Sequence, residues 1–202
     1  MNLTNYSIVI RHSIREPIFD VHDSYRQLLT KEGCELANKL GRDFGLFSST
    51  FSIYHSPFPR CKQTANEIKD GIEYQNTKVV KIQEFAPLGI FYNVNFKSNA
   101  DLFNKIGNEK YLQMWLNNNL SEDLVIPIKN AAQYMLNEIT SLKNNSSTNI
   151  FITHDWNIFF LQSLFFNSFQ EMKIPDYLDG VYFFGQSNEI HFFNKDYFFG
   201  NL

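Results

Sequence analysis

The chain alternates between short apolar runs and longer segments in which apolar residues recur every three or four positions. Residues 7–10 (Ser-Ile-Val-Ile) form a β-branched run of strand length. Thr30 suits an N-cap for the segment after it, where Cys34, Ala37, Leu40 and Phe44 space as one helical face and Gly45 stands where a stop belongs. Residues 51–54 (Phe-Ser-Ile-Tyr) alternate as a strand. Pro59 can open the next helix, with Ala65 and Ile68 facing inward and Gly71 as its expected stop. A third strand is predicted over 78–82, with Glu84 just past its end, and a fourth over 149–152. Residues 158–166 are apolar nearly all round, as a buried helix should be. Residues 181–184 and 190–193 flank Gln186, Ser187 and Asn188 and read as a β-hairpin.

Between these elements, residues 85–119 are irregular and rich in Asn and aromatic side chains, with one helix predicted around 111–116. A further amphipathic helix is predicted over 127–142, closed by the polar stretch 143–147. Long connections inside compact domains tend to be functional, so residues 85–125 are the candidate lid or insertion. The alternation of strands and helices implies a three-layer α/β/α sandwich with a mostly parallel central sheet. Neither a repeat nor a linker interrupts it, so residues 1–202 are expected to form one domain.

Composition narrows the function. With 44% hydrophobic and 19% charged residues the chain is an ordinary globular protein, and its 202 residues suffice for a substantial core. The net charge of −3 and the lack of a long basic run argue against nucleic acid as a partner. Any anion site must be a local cluster of cations. Cys34 and Cys61 make neither a disulfide framework nor a metal pattern and are expected to be small packing residues. No signal peptide or membrane span is visible, which makes the cytoplasm the expected location.

Such a cluster is present. The first strand runs directly into Arg11-His12-Ser13-Ile14-Arg15, two cations around an imidazole, and Arg presents a planar fork of donors that matches phosphate. Ligands of open α/β sheets bind outside the carboxyl ends of the strands. Four predicted strand ends deliver Arg11 to Arg15, Ser56 to Arg60, Glu84, and His154-Asp155. Together they would supply three guanidiniums, two imidazoles and two carboxylic acids, the composition a phosphoryl-transfer site needs.

The same residues resemble a known family. Arg-His-Ser-Ile-Arg (11–15) is similar to the R-H-G-x-R signature of the histidine phosphatase superfamily, which includes phosphoglycerate mutases and histidine acid phosphatases. Residues 56–65 are similar to its S-P-x-x-R-x-x-Q-T-A segment, residues 29–33 to its L-T-x-x-G helix start, and Thr153-His154-Asp155 to its second histidine motif. The resemblance implies a phosphoglycerate mutase-like fold and hydrolysis of a small phosphomonoester. His12 would be the nucleophile that becomes phosphohistidine, with Arg11, Arg15, Arg60 and His154 holding the phosphoryl group. It implies no cofactor and no metal, since arginines neutralise the phosphate.

Ser13 departs from the signature's glycine; a small residue still permits close approach, but a φ > 0 requirement would penalise it. The motifs also mix two branches. His154-Asp155 resembles the acid phosphatases, whose aspartate protonates the leaving group, whereas Glu84 stands where mutases carry a glutamate for that role. The residues leave both open, with Asp155 the better constrained because it follows a histidine expected at the phosphoryl group. A mutase-type phosphotransferase and an inactive module that binds phosphorylated ligands are the alternative functions. Phe91, Tyr92 and Trp115 read first as core or lid, His55 and His191 as packing or surface residues in strands, and His22 as a loop residue.

Overall fold

The computed structural model describes residues 6–18, 21–142, 147–166, 171–184 and 191–195. Six strands, β1 (Tyr6–Arg11), β2 (Thr50–His55), β3 (Lys78–Glu84), β4 (Thr148–Thr153), β5 (Gly180–Phe184) and β6 (His191–Phe193), form one sheet in the order β3-β2-β4-β1-β5-β6. β1, β4, β2 and β3 pair in parallel; β5 pairs antiparallel to β1, and β6 antiparallel to β5. The sheet is therefore mixed rather than mostly parallel. The expected C-terminal hairpin strands add to the same sheet beside β1, which brings antiparallel pairs into it; the hairpin's turn lies outside the described residues.

Strand periodicity sets the two cores. Ile8, Ile10, Phe51, Ile53, Ile150 and Ile152 face one side, while Val9, Tyr54, Phe151 and Val181 face the other. Helices α1 (Lys31–Gly45) and α2 (Pro59–Tyr74) cover the first face with Ala37, Leu40, Phe44, Ala65 and Ile68. The second face is covered by α5 (Ile128–Ser141) and α6 (Asp155–Gln162), joined by residues from α4 (Asn108–Leu116).

Thr30 caps α1 as expected, its Oγ1 accepting the Gly33 N–H at 2.9 Å. Gly71, by contrast, does not stop α2, which continues to Tyr74. A Cβ on Gly71 would lie 2.1 Å from the Asn38 carbonyl oxygen, and one on Gly41 would lie 2.2 Å from that of Ile68. The two glycines let α1 and α2 cross with their backbones in contact.

Residues 85–119 are also more regular than their composition suggests. They hold α3 (Phe96–Ile106) as well as α4, and the Asn95 side chain caps α3 by accepting the Ser98 N–H at 3.2 Å. Gly107, at φ +80°, breaks the chain between the two helices.

Candidate active site

Strand order explains which predicted groups meet. β1, β4 and β2 are neighbours, with Arg11 beside Thr153 and His55 beside Ile152 in register, so the segments leaving their C-terminal ends converge. The His12 N–H extends the β1–β4 pairing by donating to the Thr153 carbonyl at 3.0 Å. Arg11, His12, Arg15, Arg60, His154 and Asp155 all line one cavity of about 440 Å³. Glu84 does not line it. It ends β3, which lies one strand further out at the sheet edge, and its side chain is exposed.

The loop after β1 is fastened by the other motifs. The Ser13 N–H donates to Thr64 Oγ1 at 3.1 Å, the Ser13 hydroxyl donates to the Gly33 carbonyl at 2.7 Å, and the Leu29 N–H donates to Gln63 Oε1 at 2.8 Å. Gly33 is required because a Cβ there would lie 2.0 Å from the Ile14 carbonyl oxygen. Ser13 avoids the left-handed region; among the described non-glycine residues only Asn76, Asn118 and Leu178 adopt it. Serine therefore costs no backbone strain here, and its hydroxyl gains a partner.

Arg60, buried at the start of α2, is the hub of the site. Its Nε donates to His12 Nε2 at 3.0 Å, its Nη2 to His154 Nδ1 at 3.2 Å, and its Nη1 to the Ser24 carbonyl at 2.5 Å. These bonds assign the tautomers. His12 Nδ1 carries its proton and donates to the Ser13 carbonyl at 2.8 Å, leaving the lone pair on Nε2. His154 carries its proton on Nε2 and donates to the Ser56 hydroxyl at 2.9 Å. The two rings stand edge to face with centroids 5.5 Å apart.

Burial pushes the His12 imidazole well below its ordinary value, reinforced by His154, Arg60 and Arg11 and opposed by the Ser13 carbonyl. His154 is lowered in the same direction by burial and then by Arg60, Arg11 and Arg15. Both imidazoles are thus neutral bases held among cations.

Arg11 places Nη2 3.0 Å from Asp155 Oδ2 and donates through Nη1 to the Pro175 carbonyl at 2.9 Å. Its guanidinium lies 4.1 Å from the centre of the Tyr177 ring, and its buried Nε lacks a partner among the described residues. Asp155 Oδ1 accepts the Trp156 N–H at 2.9 Å. Arg15 donates to the Glu16 carbonyl at 2.8 Å. Asp155 is the single carboxylate among the described cavity-lining residues, against three guanidiniums, so the cluster is short of negative charge. Cations gathered this way suit an oxyanion.

Sequence reasoning missed Ser24, in a short 3-10 helix (Val21–Arg26), and Tyr177 because neither segment carries a local pattern that points to the site. Ser56 was visible in its motif, but its hold on His154 was not. Cys61 is a buried packing residue whose thiol burial pushes up to about 12. His55 is buried and donates to the Ser56 carbonyl, His191 is exposed, and the His22 side chain lies outside the described residues. Tyr92 is a core residue that also lines the cavity, whereas Trp115 is a core residue that does not. Among the described residues no helix is long and apolar enough to cross a membrane, and no three His, Cys, Asp or Glu side chains group as metal ligands.

No family profile and no curated relative matches the sequence. Solved structures do match. A phosphoglycerate mutase from Bacillus anthracis superposes with a TM-score of 0.64 at 16% identity, covering 96% of this chain and 94% of its own. A mycobacterial glucosyl-3-phosphoglycerate phosphatase gives 0.58 at 11% identity, covering 88% and 89%. A phosphoserine phosphatase from Entamoeba histolytica, in complex with 3-phosphoglyceric acid, gives 0.54 at 18% identity, covering 94% and 95%. The chain has a phosphoglycerate mutase-like α/β fold, shared with these enzymes.

Proposed function

We propose that the protein is a phosphatase that hydrolyses a small phosphomonoester through a phosphohistidine on His12. The observation that carries this reading is the His12 tautomer: Nδ1–H is held by the Ser13 carbonyl, and the Nε2 lone pair points into the cation cluster. Arg11, Arg15 and Arg60 hold the phosphoryl oxygens, and His154, whose Nδ1 accepts from Arg60, positions that guanidinium rather than donating to the phosphoryl group itself. His12 Nε2 attacks phosphorus, the phosphorus–oxygen ester bond breaks, and Asp155 gives its proton to the departing oxygen. Water then attacks the phosphohistidine and loses a proton to the Asp155 carboxylate. Inorganic phosphate leaves and His12 returns to its neutral form.

Asp155 is preferred over Glu84 as the acid because Asp155 lines the cavity and Glu84 is exposed on β3. The fixed guanidiniums supply the positive charge, so the reaction proceeds without a metal or other cofactor. The chain acts as one domain in the cytoplasm, with residues 85–125 contributing to the wall of the pocket.

The test is turnover of p-nitrophenyl phosphate in buffer containing EDTA. The wild-type protein should hydrolyse it, and His12→Ala should lower kcat by about 10³-fold or more while still binding inorganic phosphate. Equal activity in the variant would overturn the nucleophile assignment, and loss of wild-type activity on chelation would overturn metal independence.

A further inference from the structure

The guanidiniums make up only part of the cavity wall, and the chemistry of the remainder differs sharply from theirs. Beyond the guanidiniums the wall is built from Tyr92, Phe96, Phe103, Tyr111 and Trp156, with Asn93 among them. Trp156 directly follows Asp155, so this aromatic lobe begins where the leaving group would depart. Its rings brace one another: Tyr111 stacks on Trp156 at 5.2 Å, and Phe103 meets Trp156 edge to face at 5.4 Å. Phe96, Phe103 and Trp156 are only half-buried, so each still presents apolar surface.

The lobe's polar groups form one ordered chain. The Tyr111 hydroxyl donates to Asn99 Oδ1 at 2.5 Å, and Asn99 Nδ2 donates to Asn93 Oδ1. The chain ends on the Asn93 amide NH₂, which has no acceptor among the described residues. Burial holds the Tyr92 phenol well above its ordinary value, so it stays neutral. Among the described residues lining the cavity, the cationic side chains are Arg11, Arg15 and Arg60, all in the phosphoryl cluster. A carboxylate or second phosphate on the leaving group would therefore enter the aromatic lobe unpaired and be desolvated at a cost.

Resting on the phosphatase reading, we infer that the substrate is the phosphomonoester of an uncharged, aromatic alcohol, whose ring packs in this lobe beside Asp155. Asn93 offers its amide hydrogens to a hydroxyl or carbonyl oxygen on that ring. A preformed pocket of mainly aromatic walls with one or two placed polar groups is how small-molecule sites read apolar ligands.

The test uses alkyl phosphates, so that leaving-group acidity does not decide the outcome: 2-phenylethyl phosphate, ethyl phosphate and 3-phosphoglycerate. The wild-type protein should show kcat/KM for 2-phenylethyl phosphate about tenfold or more above that for either of the others. Phe103→Leu should shrink the preference for 2-phenylethyl over ethyl phosphate. Asn108→Lys, which puts a cation on an exposed lining position at the start of α4, should raise kcat/KM for 3-phosphoglycerate. A wild-type preference for 3-phosphoglycerate would overturn the inference while leaving the phosphatase reading intact. If neither these esters nor p-nitrophenyl phosphate turned over, the phosphatase reading would fail, and calorimetric binding of 2-phenylethylphosphonate against phosphonoacetate would still decide the lobe. Tighter binding of the aromatic compound supports it; equal or weaker binding refutes it.

Discussion

Arg60 Nε donates to His12 Nε2 across 3.0 Å, so the cation placed to hold a phosphoryl group also covers the lone pair placed to attack it. The same guanidinium covers the His154 lone pair through Nη2. An entering phosphoryl group supplies oxygens that Arg60 can engage instead, which would free Nε2 at the moment its target arrives. The arrangement depends on both imidazoles being neutral, because a protonated ring would have no lone pair to offer Arg60.

That neutrality has a pH signature. The folded values of His12 and His154 lie well below 6.5, so between 6.5 and those values the unfolded chain binds protons that the folded chain does not. Their contribution to stability is complete above 6.5 and declines as pH falls towards the folded values. The slope from the two rings is at most about 2.7 kcal/mol per pH unit. Urea unfolding at stepped pH should show His12→Gln with a shallower acid slope than wild type. The acid limb of kcat/KM, which reports the free enzyme, should fall below pH 6.5. A limb above 6.5 would contradict a depressed His12.

The two candidate acids separate by leaving group. Asp155→Asn should slow hydrolysis of an alkyl phosphate by ~10²–10⁴-fold and that of p-nitrophenyl phosphate far less, since nitrophenolate hardly needs a proton. Glu84→Gln should leave both rates close to wild type, because its side chain is exposed on the edge strand. The opposite pattern would make Glu84 the acid.

Two glycines should fail differently. Gly71→Ala drives a Cβ against the Asn38 carbonyl oxygen at 2.1 Å, and Gly33→Ala drives one against that of Ile14 at 2.0 Å. Each should cost roughly 1–3 kcal/mol or more in urea unfolding. Gly33→Ala should also lower kcat/KM, because Ile14 belongs to the loop that carries His12; Gly71→Ala acts at a helix crossing away from the site and should not.

The cluster at the ends of β1, β2 and β4 was readable because chemistry there is written locally: a β-branched run followed at once by Arg11, His12 and Arg15, and a strand followed by His154 and Asp155. Glu84 lies apart from the cavity because strand order is not local. Its strand also ends in a carboxylate, but β3 pairs outside β2, away from the convergence of β1 and β4. The mixed sheet has the same origin, since a hairpin pattern does not say which strand it will join. Gly71 looked like a stop because close helix crossing and helix termination both call for glycine. The helix α3 was hidden among asparagines, although Phe96, Ala100, Phe103 and Ile106 recur at helical spacing.

A covalent phosphohistidine is the central intermediate of the proposed reaction, and rapid mixing of the protein with excess p-nitrophenyl phosphate, an alkaline quench and intact-mass analysis tests for it most directly. The predicted result is a protein heavier by one phosphoryl group, with peptide mapping and ³¹P NMR placing it on Nε2 of His12 and no such species in His12→Ala. Hydrolysis that proceeds without an adduct in an excess-substrate time course, or an adduct on another residue, would contradict it.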